Sequence, residues 1–139
     1  MARTRFLADT SVFARLSKPG VAAAVAPLAA AGQLALCAPV IFELSYSARN
    51  RDDLRMLTDR LVAFPQVETT EADHQRALTV QQALADRGQL RALSLIDALV
   101  AAVAERRGLT VLHYDRDFEL VAAVTRQPHA WIVERGTAD

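Results

Sequence analysis

The amino-acid sequence predicts an α/β fold, a three-layer α/β/α sandwich around a central parallel sheet of four to five strands. Short apolar runs bounded by glycine, proline or an acid alternate with longer segments of helical period, as strands do when crossover helices link them. The clearest runs are apolar at successive positions, which marks strands covered on both faces. The chain of 139 residues is 52% hydrophobic and 23% charged with only five Gly and five Pro, which supports one packed core and excludes a disordered or low-complexity chain.

The first strand is expected over Arg5 to Asp9, an apolar run that ends in an acid. Val21 to Ala31 is alanine-rich and stops at Gly32, a helix with its stop signal, and Leu34 to Ala38 forms the next strand before Pro39. Val40, Ile41, Leu44 and Ala48 share a helical stripe over Pro39 to Asn50, so Arg49 and Arg51 fall at that helix's end. Leu54, Leu57, Leu61 and Phe64 repeat the stripe over Asp52 to Phe64. Gln66 to Thr69 is a weaker strand. Thr70 with Asp73 caps a helix that runs to Gly88, and Ser94 caps another that carries Leu95, Ile96, Leu99, Val100 and Val103 and closes on Glu105-Arg106-Arg107-Gly108. Leu109 to His113 is a strand, Asp117 to Val124 a short helix and Ala130 to Val133 a second weak strand. No repeat, linker or composition shift divides the chain, so residues 1–139 are expected to form a single domain.

Sixteen basic and sixteen acidic residues cancel, which excludes a nucleic-acid binder that works by bulk positive charge. Function must then follow from where the charges lie. Cys37 is the lone cysteine, so no disulfide framework or cysteine-based zinc site is expected, and its place in an apolar strand reads as an inert core thiol. The apolar stretch after Arg5 is too short for a secretory signal, and Val21 to Ala31 is too short to span a membrane. A cytoplasmic protein without membrane contact is expected.

Four acids sit where an apolar residue or a neutral cap would be ordinary. Asp9 and Asp115 close strands, and ligands of open parallel sheets bind beyond the strands' carboxyl ends where strand order reverses. Glu43 borders the buried stripe of its helix, and Asp97 falls in the first turn after Ser94, flanked by Ala101 and Ala104. Gathering four buried carboxylates without a cation is strongly unfavourable, and a bound divalent metal resolves the conflict. An all-oxygen ligand set favours Mg²⁺ or Mn²⁺ over zinc and suits phosphodiester hydrolysis. Singly, each acid also has a bland role: Asp9 as an N-cap, Asp97 at a helix N-terminus, Glu43 as a surface acid.

Four segments in order resemble the PIN-domain ribonucleases, most closely VapC-type toxins of bacterial toxin–antitoxin pairs. They are Leu7-Ala8-Asp9-Thr10-Ser11, Pro39-Val40-Ile41-Phe42-Glu43-Leu44, Leu95-Ile96-Asp97-Ala98-Leu99-Val100-Ala101-Ala102-Val103-Ala104 and His113-Tyr114-Asp115-Arg116-Asp117-Phe118. The resemblance spans essentially the whole chain and implies a metal-dependent endoribonuclease. It makes Asp9, Glu43, Asp97 and Asp115 the catalytic acids that bind Mg²⁺ or Mn²⁺. Ser11, and less directly Thr10, would orient a carboxylate or a metal-bound water, and Asp117 would be an auxiliary acid. It further implies a structured RNA substrate such as tRNA or rRNA, a homodimer and a cognate antitoxin, with operator DNA bound by that partner rather than by this chain. His113 departs from the family's usual Thr and reads as a strand-end histidine bonded locally, with His74 and His129 in unrelated segments.

Fifteen of the sixteen basic residues are Arg, and Arg15, Arg91 and Arg116 stand near the acids in sequence as candidate phosphate contacts. Two other readings remain. A Mg²⁺-dependent phosphatase or phosphoacceptor would also place Asp at strand ends, but this chain has no second Asp two residues after Asp9 and no lysine besides Lys18. A non-catalytic binding module would keep the fold without needing the acids.

Overall fold

The computed structural model describes residues 3–139. In chain order its elements are β1 (Phe6–Ala8), α1 (Thr10–Phe13), α2 (Pro19–Ala30), β2 (Leu34–Cys37), α3 (Ala38–Tyr46), α4 (Arg51–Leu61), β3 (Gln66–Val67), α5 (Glu71–Asp86), α6 (Leu95–Arg107), β4 (Thr110–His113), α7 (Asp117–Thr125) and β5 (His129–Trp131). The strands form a five-stranded sheet of order β3-β2-β1-β4-β5, parallel at each pairing. Successive residues of β2 point to opposite faces, yet Leu34, Ala35, Leu36 and Cys37 are all 0% exposed, so both faces are covered. That is the expected α/β/α arrangement.

Central strands carry the core. Leu7, Leu34, Leu36 and Val111 are sealed from water, and each buried leucine contributes roughly 2 kcal/mol. Helix α6 packs against both β1 and β4 and against α3, α5 and α7. Its inward side is Val100, Ala101, Val103 and Ala104, and the small alanines let the helix approach the sheet closely. Ser94 caps its start and Gly108, at φ +65°, ends it in the left-handed conformation that favours glycine.

Several boundaries differ from the sequence expectation. The helix bearing Glu43 stops at Tyr46, where the Ser47 hydroxyl donates to the Leu44 carbonyl, and Asn50 caps a new helix at Arg51. Arg49 and Arg51 therefore lie between and at the start of helices, not at the end of α3. α2 begins at Pro19, a residue suited to the first helical turn. The four-residue α1, capped by the Asp9 side chain, is too short for its period to show in sequence. Among the described residues no helix is long and apolar enough to cross a membrane.

Candidate metal centre

β1 and β4 are neighbours, and the chain leaves β1 toward β2 and β4 toward β5, so connections diverge at this pair. A crevice opens at such a point. The Asp9 N–H donates to the Leu112 carbonyl at 2.9 Å, which fixes Asp9 at the joint of the two strands. Asp97 comes in from α6, where its N–H is held by the Ser94 hydroxyl at 3.1 Å, and Asp115 follows β4 by two residues. One oxygen from each of Asp9, Asp97 and Asp115 lies within 4.8 Å of the other two. Asp9 is 2% exposed and Asp97 6%, while Asp115 is half-buried.

Among the described residues none of these three carboxylates forms an ion pair. Two full charges 4.8 Å apart repel by roughly 3 kcal/mol at an effective dielectric near 20. Burial pushes the Asp97 carboxyl up to about 8, with the Asp9 and Asp115 charges adding to the rise. Burial likewise raises Asp9, aided by Asp115 and opposed by the Ser11 hydroxyl and amide. Asp117 is raised by burial and then by Asp115. The Asp9 Oδ1 atom is buried with no hydrogen-bond partner, although Oδ2 accepts from the Ser11 N–H at 3.0 Å. An orphaned carboxylate oxygen among three clustered acids fits a hard divalent cation, which would satisfy the atom and offset the repulsion together.

The other predicted residues separate into near and remote. Glu43 is half-buried on α3 and is not among the carboxylates gathered within 4.8 Å; it lines a cleft of about 550 Å³ with Thr10 and Phe13. Ser11 joins the two strand ends: its Oγ accepts from the Tyr114 N–H at 2.8 Å while its own N–H donates to Asp9 Oδ2. Thr10 Oγ1 is buried without a partner. The Asp117 N–H donates to Asp115 Oδ1 at 3.0 Å. Arg15 and Arg116 line a second cleft of about 340 Å³ beside Asp115, whereas exposed Arg91 lies on the link between α5 and α6, outside it.

His113 is bonded locally, as expected: its Nδ1 accepts from the Asp115 N–H at 3.0 Å. Its separation from His129 is corrected, since His113 Nε2 lies 2.8 Å from His129 Nδ1. The reason is register. His113 pairs with Trp131, which places His129 one step away on the same face of the sheet. Because Nδ1 accepts, Nε2 carries the proton and donates to His129. Burial, and then His129, lowers the His113 pKa to about 3, so the ring is neutral. Trp131 and Arg135, which also line the second cleft, were not singled out in the sequence. Large side chains at alternate positions, His129 and Trp131, are the signal that would have marked that face of β5.

An acidic crevice at the switch point of a five-stranded parallel α/β/α domain defines a class of fold and site, and sequence comparison places it. The chain belongs to the PIN-domain family, whose sequence model matches residues 6–124. Within that family its relatives are VapC proteins. It is 50% identical over 135 residues to Ribonuclease VapC51 of Mycobacterium tuberculosis, covering 97% of this chain and 98% of that one. To Ribonuclease VapC21 of the same species it is 44% identical over 136 residues, covering 97% and 99%. Its fold is similar to that in the crystal structure of DNA-bound VapBC from Salmonella typhimurium, with a TM-score of 0.77 at 17% identity over 94% of this chain and 100% of that one.

Proposed function

We propose that this protein is a divalent-metal-dependent endoribonuclease, the toxin of a toxin–antitoxin pair, which hydrolyses phosphodiester bonds in structured RNA such as tRNA or rRNA. The observation that carries the proposal is the cluster of buried Asp9 and Asp97 with half-buried Asp115, which forms no ion pair among the described residues and contains an orphaned oxygen. VapC relatives named as ribonucleases, aligned over nearly the whole chain, support the activity.

Asp9, Asp97 and Asp115 would hold Mg²⁺ or Mn²⁺, and Glu43 would add a fourth carboxylate from α3. When bound, such an ion supplies Lewis acidity that activates water and neutralises charge developing on the phosphate. The chain's own work is orientation. Ser11 holds Asp9 through its amide, and the Asp117 amide holds Asp115 by one oxygen. Fixed carboxylates leave little to rearrange during reaction. A single-stranded loop of a folded RNA can enter the crevice, because its bases splay outward.

A cognate antitoxin and a second copy of the chain are the expected protein partners. Similarity in fold to solved toxin–antitoxin structures, DNA-bound VapBC among them, supports the first. The α3 side chains Phe42 and Tyr46, 76% and 89% exposed and one helical turn apart, offer an apolar surface for such contacts.

The test is cleavage of total RNA by the purified protein with Mg²⁺ or Mn²⁺, beside Asp9→Asn and Asp97→Asn. Cleavage is expected to need the metal and to fall below about a hundredth in either variant, since even outer-shell changes at metal sites cost 10- to 100-fold. Equal cleavage by the variants would remove the assigned site. Release of phosphate from a phosphomonoester with RNA left intact would favour the phosphatase reading instead.

A further inference from the structure

We infer that the cleft beside Asp115 is a nucleotide subsite that stacks one unpaired base on Trp131 and holds a neighbouring phosphate with Arg116 and Arg135. The inference rests on the ribonuclease proposal for the identity of the strand, and on the cleft's own chemistry for the contact. The cleft, of about 340 Å³, is lined by Asp115 itself, so a strand at the acids reaches it directly. Its walls combine guanidinium groups with aromatic rings, the pairing by which proteins grip single-stranded nucleic acid without reading its sequence.

Trp131 is a prepared platform. Tyr114 meets it edge-on at 5.3 Å and 89°, and His113 packs at 5.0 Å, so the indole is fixed from the side of the core. The Arg135 guanidinium stands over the indole at 5.5 Å from the ring centroid, within cation–π range, so a base that stacks there takes its place as the guanidinium moves to the phosphate. Besides that ring contact Arg135 has an exposed 3.7 Å contact with Glu119 to give up, and Arg116 is exposed at the start of α7. Exposed pairs of this kind hold little energy.

Arg15 has a different role. Its guanidinium covers the Tyr114 ring at 4.6 Å and donates to the Ala138 and Ser11 carbonyls, both at 3.2 Å. It is therefore committed to fixing the wall, while Arg116 and Arg135 remain for phosphate. Asp139 sits in the same cleft, bonded through Oδ1 to the Tyr114 hydroxyl at 2.7 Å. The position favours RNA over an acidic peptide, because the lining continues into the crevice where a phosphodiester must lie.

Trp131 is the sole tryptophan, so its fluorescence reports on this cleft alone. A labelled heptanucleotide RNA is titrated into the intact protein with Ca²⁺ in place of Mg²⁺, following anisotropy and tryptophan emission together. Saturable quenching that tracks binding is expected. A heptamer lacking all bases should bind about ten-fold more weakly and leave emission unchanged. Arg116→Ala and Arg135→Ala should each weaken binding about three- to ten-fold and flatten its salt dependence.

Binding without quenching, absence of binding, or equal competition by a hexaglutamate peptide would overturn the subsite. A protein that binds and quenches but never cleaves keeps the subsite and removes the ribonuclease reading. Cleavage with wild-type kcat/KM by Trp131→Ala, with no quenching in the parent, does the reverse.

Discussion

Two groups of buried acid lie in this chain, and they are held in opposite ways. Asp73, 1% exposed at the start of α5, is fully satisfied: Oδ2 accepts from the Thr70 amide at 2.8 Å and hydroxyl at 3.1 Å, and Oδ1 from Arg106 at 2.9 Å. Burial alone would raise its pKa, but the Arg106 and Thr70 hydrogen bonds outweigh it and hold the carboxyl below its usual range. Asp9 and Asp97 are nearly as hidden but cluster with Asp115 rather than with a cation, and burial raises both in spite of hydrogen bonds from Ser11 and Ser94. The first arrangement anchors α5 to α6. The second stores repulsion that a bound cation would release, which is how a folded chain keeps a site ready for a metal.

Opposite substitutions should separate the two groups. Asp97→Asn is expected to reduce RNA cleavage more than a hundred-fold while raising metal-free stability at pH 8 by roughly 1 kcal/mol, about 3 °C in Tm. Asp73→Ala should do the reverse. It removes the capping box and takes the carboxylate from Arg106, at a cost of about 3 kcal/mol, the low end for a broken buried pair because Arg106 stays partly in water and keeps its bond to the Glu68 carbonyl. Cleavage per folded molecule should not change. Urea unfolding beside RNA cleavage checks both, and an Asp97→Asn protein less stable than its parent would end the contrast.

A smaller effect follows from pH. A carboxyl whose folded pKa is raised gives stability that is full below its unfolded pKa and lost as pH climbs through the folded value. For Asp97 the window runs from 3.8 to about 8. The Tm gap between Asp97→Asn and wild type in EDTA should therefore widen from pH 5 to pH 8.5. Mg²⁺ or Mn²⁺ should close it by stabilising the parent, and more at high pH, since binding expels the protons. A gap independent of pH would show that Asp97 is not the strained group.

Much of this contrast was legible in the sequence because local signals place each acid. Asp9 ends an apolar run, Asp97 follows a serine cap by three residues, and Thr70 with Asp73 spells its own capping box. Convergence was harder to see. It depends on β1 and β4 being neighbours, an adjacency carried by packing between segments about a hundred residues apart. The Arg106 partner of Asp73 and the His129 partner of His113 were invisible for the same reason: no periodicity reports cross-element register. Glu43 shows the limit in the other direction. Its stripe predicted partial burial correctly, but helical phase alone does not say how far a flexible side chain stands from the other acids.

His113 offers the finest probe of the comparison, because it links the site to the edge strand through the Asp115 amide and not through a carboxylate oxygen. The neutral ring accepts from the Asp115 amide and donates to His129, so it sets the loop that carries Asp115. His113→Thr removes that acceptor and should weaken Mn²⁺ binding about ten-fold by calorimetry, in the range of outer-shell losses at metal sites. His113→Asn restores an acceptor near the Nδ1 position and should recover most of that affinity, although both variants lose packing against Phe118 and Trp131. The recovery distinguishes orientation from bulk. Equal losses in the two variants would make His113 a packing residue alone, and unchanged Mn²⁺ affinity in His113→Thr would show that Asp115 holds its place through the Asp117 amide without it.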